Sequence, residues 1–159
     1  MKTLVRLSSL VLLLSALPLF AQSMDWSRVG STGIIDEDSL TLFGFTAYDL
    51  EFKTGQTGTI TARYPVMHTG NPVPGWTLFY AGGSGPGVNV KLIENSECIP
   101  STPTVICETG ASTAGGNFCT PCSDFVHELD FVNNAYYFEV TMTRATTSTN
   151  PKLHMLAIE

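Results

Sequence analysis

All four cysteines of the chain lie close together, at Cys98, Cys107, Cys119 and Cys122. An even number of cysteines in an exported chain predicts two disulfides. The favoured pairs are Cys98–Cys107, which brackets a Pro-containing turn, and Cys119–Cys122, which are close in sequence, although spacing alone leaves the connectivity open. The same thiols have two other uses. A zinc site would need a second Cys-x-x-Cys knuckle, and a redox motif would need a strand before it and a helix after it.

The remaining polar residues do not assemble a catalytic constellation. His68, His127 and His154 are far apart in the sequence, and none lies in a recognised signature beside a nucleophile. The acidic turn at 36–38 offers Asp36 and Asp38, which with carbonyl oxygens could hold a Ca²⁺ ion, although the run lacks the ligand spacing and glycine of an EF-hand loop. The alternative interpretation is that residues 36–38 form a solvated turn between strands. We therefore predict that the protein is not an enzyme and that Ca²⁺ is the one cofactor to consider.

Aromatic side chains on the surface are the candidates for ligand binding. Flat Trp and Tyr rings stack on sugars and hydrogen-bond at their edges. Tyr137 is predicted to face outward because alternation turns Tyr136 and Phe138 inward. Trp76 opens a predicted strand after a Pro-Gly turn, and Tyr80 ends that strand beside a run of glycines. For each ring the alternative is ordinary packing in the core or at its rim.

The elements that must position these residues are strands. Short segments alternate apolar and polar residues between clusters of Gly, Pro, Thr, Ser and Asn. We predict strands near 40–46, 48–53, 59–66, 76–80, 87–93, 104–108, 136–144 and 152–158. The inward residues would be Leu50 and Phe52; Ile60, Ala62, Tyr64 and Val66; Val88, Val90 and Leu92; and Tyr136, Phe138, Val140 and Met142.

The segments between the strands are rich in turn residues. Residues 54–58 contain two glycines and are predicted to be a hairpin loop. Residues 82–87 are nearly all Gly, Ser and Pro, so a strand is predicted to end before them. Residues 109–118 are nearly all small and are predicted to form a mobile surface loop that is tied down by the cysteines beside it, and 146–151 is predicted to be a polar loop between the two last strands.

The first 23 residues have the three parts of a signal peptide. Lys2 and Arg6 precede an apolar stretch, and small residues then allow cleavage after Ala21 or Ser23. Residues 24–159 would form one domain outside the cytoplasm, whether secreted, periplasmic or on the cell surface. Removing the signal leaves six basic and fourteen acidic residues, a formal charge of −8. This charge disfavours nucleic acid and anionic membranes as partners, and no stable membrane insertion is expected after cleavage.

These patterns predict an all-β fold: a single-domain antiparallel β-sandwich, jelly-roll or immunoglobulin-like, stapled by disulfides. Its exported, Thr- and Gly-rich character is generally similar to small bacterial surface and carbohydrate-binding modules, and no motif identifies a family. The leading hypothesis is a non-catalytic extracellular binding or adhesion module for a glycan, a cell-envelope polymer or a protein on the cell surface. The alternatives are a structural subunit of a surface assembly or secreted complex, a secreted hydrolase, and a small outer-membrane barrel.

Overall fold

The protein is described from a computed structural model, which covers residues 26–67, 79–96, 102–113, 115–121 and 129–158. Within these residues the chain forms two short 3₁₀ turns, Gly30–Thr32 and Glu37–Ser39, and eleven strands. In chain order, β1 to β11 are Trp26–Val29, Ile34–Ile35, Phe43–Phe45, Leu50–Phe52, Gly58–Val66, Phe79–Ser84, Val88–Ser96, Thr104–Glu108, Asn117–Pro121, Asn134–Arg144 and Lys152–Ile158.

The strands form two antiparallel sheets. The six-stranded sheet has the order β3-β4-β11-β6-β9, and β1 also pairs with β11. The five-stranded sheet has the order β2-β5-β10-β7-β8. Among the described strands, consecutive strands belong to the same sheet only at β3–β4 and at β7–β8, and every other pair of consecutive strands lies in different sheets. The prediction of an all-β protein with antiparallel sheets is confirmed.

The core lies between the two sheets, and β4, β5 and β10 contribute alternate residues to it. All of the residues predicted to face inward on β4, β5, β7 and β10 are buried. The Phe138 ring of β10 lies 5.4 Å from the Trp26 ring and 5.1 Å from the Phe79 ring, centroid to centroid. Both partners belong to the six-stranded sheet, so these aromatic contacts join the sheets. Burying each large apolar side chain stabilises the fold by about 1.5–3 kcal/mol.

The edge of β5 that faces away from β10 is protected from pairing with a further strand by short neighbouring segments and by a proline. Only two residues of β2 pair with β5. Next to them the Thr61 N–H donates to Ser39 Oγ at 3.0 Å, and the Thr61 carbonyl accepts from the Asp36 N–H at 3.0 Å. Alternation directs the backbone nitrogen of Pro65 toward the same edge. A proline there loses no ladder hydrogen bond and prevents another strand from pairing.

The glycine run is partly strand, which corrects the prediction that a strand ends before residue 82. β6 continues through Gly82 and Gly83 to Ser84 and pairs with both β11 and β9. A Cβ atom on Gly83 would lie 2.7 Å from Phe118 Cζ and would overlap a β11 carbonyl as well. The glycines therefore allow close packing between sheet neighbours, which is another use of glycine inside a strand.

Two loop predictions were also wrong. Residues 54–58 do not form a hairpin loop, because β4 and β5 belong to different sheets. Residues 109–118 are not simply a mobile loop: Thr109 and Ser112 hydrogen-bond to the backbone of Val88 and Val90, and β9 already begins at Asn117. Small polar side chains here complete the backbone hydrogen bonding of β7, which periodicity alone does not reveal.

Strand ends differ from prediction in the first half of the chain. Of residues 40–46, only Phe43–Phe45 form a strand, because the 3₁₀ turn Glu37–Ser39 leads into a further turn through residue 42. β6 is described from Phe79 onward, and residues 76–78 lie outside the described part. The strands predicted at 104–108 and 152–158 are confirmed, as is the polar loop between β10 and β11.

Candidate functional site

Tyr137 lies on the outer face of the five-stranded sheet. It belongs to β10, the central strand, and its side chain is partly exposed while Tyr136 and Phe138 on either side are buried. This is the placement that alternation predicted. A central position gives Tyr137 neighbours on both sides, from β5 and from β7.

An apolar row crosses the sheet at Tyr137. Tyr137 pairs with Pro65 on one side and with Ile93 on the other, and Ile93 pairs with Val105 of β8. Directly opposed residues point to the same face, so these four residues, here called the apolar row, share the outer surface. Four strands set about 4.8 Å apart give a row about 14 Å long. Ile93 is only 5% exposed and Val105 is 47% exposed, so Pro65, Tyr137 and Val105 supply most of the accessible surface.

A charged row runs beside the apolar row, two residues away along β5, β7 and β10 and three residues away along β8, where the register is irregular. Glu139 of β10 lies between Arg63 of β5 and Lys91 of β7, and Lys91 pairs with Glu108 of β8. Arg63 Nη2 lies 3.3 Å from Glu139 Oε2, and Lys91 Nζ lies 3.8 Å from Glu108 Oε1. These four residues are called the charged row. Opposite charges alternate across the strands, so the row neutralises itself.

Asp36 gives Arg63 of the charged row a second carboxylate partner. Its Oδ1 accepts a hydrogen bond from Arg63 Nη1. Asp38 lies in the adjacent 3₁₀ turn and is exposed. No group of three His, Cys, Asp or Glu side chains suited to a metal occurs among the described residues. The calcium site stays a prediction, and one of the two carboxylate oxygens of Asp36 is already engaged by Arg63.

A second polar cluster lies on the outer face of the six-stranded sheet. His154 Nδ1 is 2.7 Å from Asp49 Oδ1, and Lys152 Nζ is 2.6 Å from Glu51 Oε2 and 3.9 Å from Asp49 Oδ2. Burial raises the pKa of Asp49, but His154, Thr46 and Lys152 together outweigh burial and hold that pKa below its ordinary value. The Glu51 hydrogen bond, opposed by burial, raises the pKa of Lys152.

This cluster holds a histidine and an orienting carboxylate, two parts of a hydrolytic site. Within the described residues, no Ser, Thr or Cys side chain hydrogen-bonds to the His154 ring to complete it. His68 and His127 lie outside those residues. That the protein is not an enzyme stays a prediction.

The other predicted aromatic residues are not placed beside Tyr137. Trp76 lies outside the described residues. Tyr80 belongs to β6 of the six-stranded sheet, opposite Ala157 and Pro121, whereas Tyr137 belongs to the five-stranded sheet. The side chain of Tyr80 is outside what the structure describes. Alternation along a single strand predicted that Tyr137 faces outward, but the partners of Tyr137 were missed because they depend on the register between strands.

The cysteines agree only in part with the predicted bridges. Cys107 is buried and takes part in a disulfide, but no disulfide joins two described residues, and Cys98 and Cys122 lie outside them. Cys119 carries an exposed free thiol, so the predicted Cys119–Cys122 bridge is wrong. Cys119 lies in the extended strand β9. The Cys98–Cys107 pairing stays a prediction.

Comparison with known proteins shows only distant likenesses. No family model and no curated protein matches the sequence. The CBM36-1 domain of a multidomain xylanase from the hindgut metagenome of Trinervitermes trinervoides gives a TM-score of 0.47 at 10% identity, over 86% of this chain and 97% of that chain. A family two carbohydrate esterase from Cellvibrio japonicus gives 0.45 at 12% identity, over 85% of this chain and 33% of that chain. At these scores the likenesses carry no argument about function.

One further finding concerns membranes. Among the residues that the structure describes, no helix has the length and apolar character needed to cross a bilayer.

Proposed function

We propose that the protein is a secreted, non-catalytic binding module that holds an uncharged carbohydrate on the outer face of its five-stranded sheet. The observation that carries the proposal is the apolar row, in which the partly exposed Tyr137 ring lies between Pro65 and Ile93 and beside a row of hydrogen-bonding groups. A sugar ring has apolar faces and a polar rim. A flat amphipathic ring such as that of tyrosine matches both.

The length of the apolar row supports an extended ligand. The row runs about 14 Å across four strands, and the charged row lies parallel to it on the same face. A chain of sugars lying along the apolar row would place its hydroxyl groups beside Arg63, Glu139 and Lys91. Both donors and acceptors are therefore present along one side of the ligand.

The distribution of positive charge supports an uncharged ligand. All six basic residues after position 23 lie in the described residues. Each contacts a carboxylate, a carbonyl oxygen or an aromatic ring: Arg63, Lys91 and Lys152 carboxylates, Arg144 carbonyls, Arg28 the Trp26 ring and Lys53 the Phe43 ring. An acidic glycan would have to break these contacts on a domain of formal charge −8. Neutral polymers carry no such cost.

The location of the protein outside the cytoplasm is part of the proposal. The signal-like first 23 residues and the oxidised Cys107 support export to an oxidising compartment. A Cys98–Cys107 bridge would then staple the segment before β8, since Cys107 lies on the core side of that edge strand.

The test is direct binding of the mature domain to neutral and acidic glycans. We expect calorimetry or a glycan array to show binding to a neutral oligosaccharide and not to polygalacturonate. The Tyr137→Ala variant should bind at least about tenfold more weakly, since a central aromatic residue commonly contributes about 2 kcal/mol or more. Tyr137→Phe keeps the ring and should bind within about threefold of the wild type.

Tyr48→Ala is the matched control, because Tyr48 is 68% exposed and lies in the turn between β3 and β4 of the other sheet. It should bind like the wild type. If the wild type binds none of the glycans, the carbohydrate proposal is wrong. If Tyr137→Ala and Tyr48→Ala bind equally well, a carbohydrate site exists elsewhere on the domain and the apolar row is not that site.

A further inference from the structure

A depression of about 360 Å³ lies at one end of the sandwich, away from the apolar row. It is formed by Ser84 at the end of β6, residues 85–86 between β6 and β7, residues 148–150 between β10 and β11, and Gly115 before β9. These residues are called the loop-end depression. Its volume falls within the range of small-molecule sites, about 300–1,000 Å³. Tyr137 lies seven residues before the end of β10, or about 23 Å along the strand.

The first wall of the loop-end depression is fixed by backbone hydrogen bonds at Gly85. The Gly85 N–H donates to the Gly116 carbonyl at 3.2 Å, and the Gly85 carbonyl accepts from Ser112 Oγ at 2.8 Å. Gly85 has a φ of +79°, and a Cβ atom on it would lie 2.7 Å from the Asn150 carbonyl oxygen. Only glycine therefore allows the two walls to approach this closely.

The second wall is ordered by its own hydroxyl groups. The Thr149 N–H and Oγ1 both donate to the Thr146 carbonyl, at 3.3 and 3.1 Å. Thr146 Oγ1 and Ser148 Oγ lie 2.7 Å apart. These hydrogen bonds restrict the loop before any ligand arrives, which lowers the entropy cost of binding.

Two polar groups in the depression remain available to a ligand. Among the described residues, the Ser84 hydroxyl and the Asn150 side-chain amide make no hydrogen bond, although Ser84 is half-buried. The amide offers two donors and an acceptor, and the hydroxyl offers one donor and two acceptor sites. The described residues that line the depression carry no charged side chain, so the groups they offer a ligand are uncharged.

We propose that the loop-end depression is a second binding site, which takes a single uncharged sugar residue or a polyol of similar size. The alternating donors and acceptors of vicinal hydroxyl groups match Ser84 and Asn150, and Gly85, Pro86 and Gly115 give the ligand small, flat surfaces to approach. This proposal does not depend on the apolar row, since no residue is shared by the two sites.

Amide chemical shifts of the isotope-labelled mature protein test the proposal. Glucose, galactose, mannose, xylose, N-acetylglucosamine and glycerol would each be titrated to their solubility limit. We expect at least one to produce saturable shifts at Ser84, Gly85 and residues 148–150. Asn150→Ala should weaken that binding by about threefold to tenfold, the contribution of one neutral hydrogen bond. Ser84→Ala should have a similar effect, and Thr57→Ala, at an exposed loop position, should have none.

One result separates this site from the apolar row, and two others would overturn the proposal. Tyr137→Ala should leave the shifts at 148–150 unchanged, even if it abolishes binding of longer glycans. Absence of saturable shifts with every sugar and with glycerol would overturn the proposal. So would sugar binding that Asn150→Ala and Ser84→Ala both leave at wild-type strength in proteins whose spectra show an intact fold.

Discussion

The buried hydroxyl of Tyr64 offers a test of how the 3₁₀ turn Gly30–Thr32 is held to the five-stranded sheet. Tyr64 is 1% exposed, and its hydroxyl donates to the Gly30 carbonyl at 2.6 Å. The ring itself packs against Gly33, where a Cβ atom would lie 2.5 Å from Tyr64 Cζ. Tyr64→Phe keeps that ring contact and removes only the hydroxyl, so the change isolates one hydrogen bond.

The expected cost follows from the buried carbonyl that Tyr64→Phe leaves behind. An unsatisfied buried acceptor costs about 1–3 kcal/mol, so we expect the free energy of unfolding to fall by about 2 kcal/mol. Urea denaturation should then show a midpoint lower by about 1 M at a slope near 2 kcal/mol/M. Tyr48→Phe, at an exposed position, should leave the midpoint unchanged. A fall below about 0.5 kcal/mol for Tyr64→Phe would refute the hydrogen-bond argument.

The pH dependence of unfolding provides a second, independent test of the burial of Tyr64. Burial raises the pKa of the Tyr64 phenol above its ordinary value of 10.0. A raised pKa means that the stability contributed below pH 10 is lost as the pH rises, because tyrosine ionises first in the unfolded chain. The difference between wild type and Tyr64→Phe should therefore shrink above pH 10, by up to about 1.4 kcal/mol per pH unit. Parallel profiles would contradict the burial of this phenol.

Three further changes test other parts of the structure. Asp49→Asn should flatten the loss of stability in acid, because the lowered pKa of Asp49 contributes stability above pH 4 that disappears as the pH falls through its folded value; thermal melts from pH 7 to pH 2 measure this. Phe138→Ala should lower the free energy of unfolding by about 3–5 kcal/mol, while Thr143→Ala, exposed on the same strand, should change it little in urea titrations. Cys119 should react with iodoacetamide in the folded protein, and peptide mass spectrometry should find Cys107 unmodified without reductant.

Much of the sheet structure could be predicted because β10 and β5 each have one buried face. Alternation identifies Tyr136, Phe138, Tyr64 and Ile60 as inward without any knowledge of the partner strand. It also places Tyr137 outward, which located one residue of the candidate site. Alternation could not predict that the glycines of β6 belong to a strand. Gly83 leaves room for Phe118 on the neighbouring strand, and this contact cannot be inferred from the sequence of β6 alone.

The composition of the apolar row could not be predicted for a related reason. Pro65, Ile93 and Val105 are separated along the chain and meet Tyr137 only through the pairing of four strands. Ile93 belongs to a stretch of β7 where Leu92 and Ile93 are both buried beside a register irregularity. Simple alternation fails at such a point, since an irregularity changes which residues of β8 oppose β7.

Packing in the core fixes the register of the strands that form the proposed ligand-binding face. A slip of one residue between β10 and its neighbours would bring Tyr137 inward and Phe138 outward. The contacts of the Phe138 ring with Trp26 and Phe79 oppose that slip. The register that buries Phe138 also places Glu139 between Arg63 and Lys91. Weakening the packing of Phe138 should therefore weaken ligand binding as well as stability, although Phe138 itself is fully buried and never contacts the ligand.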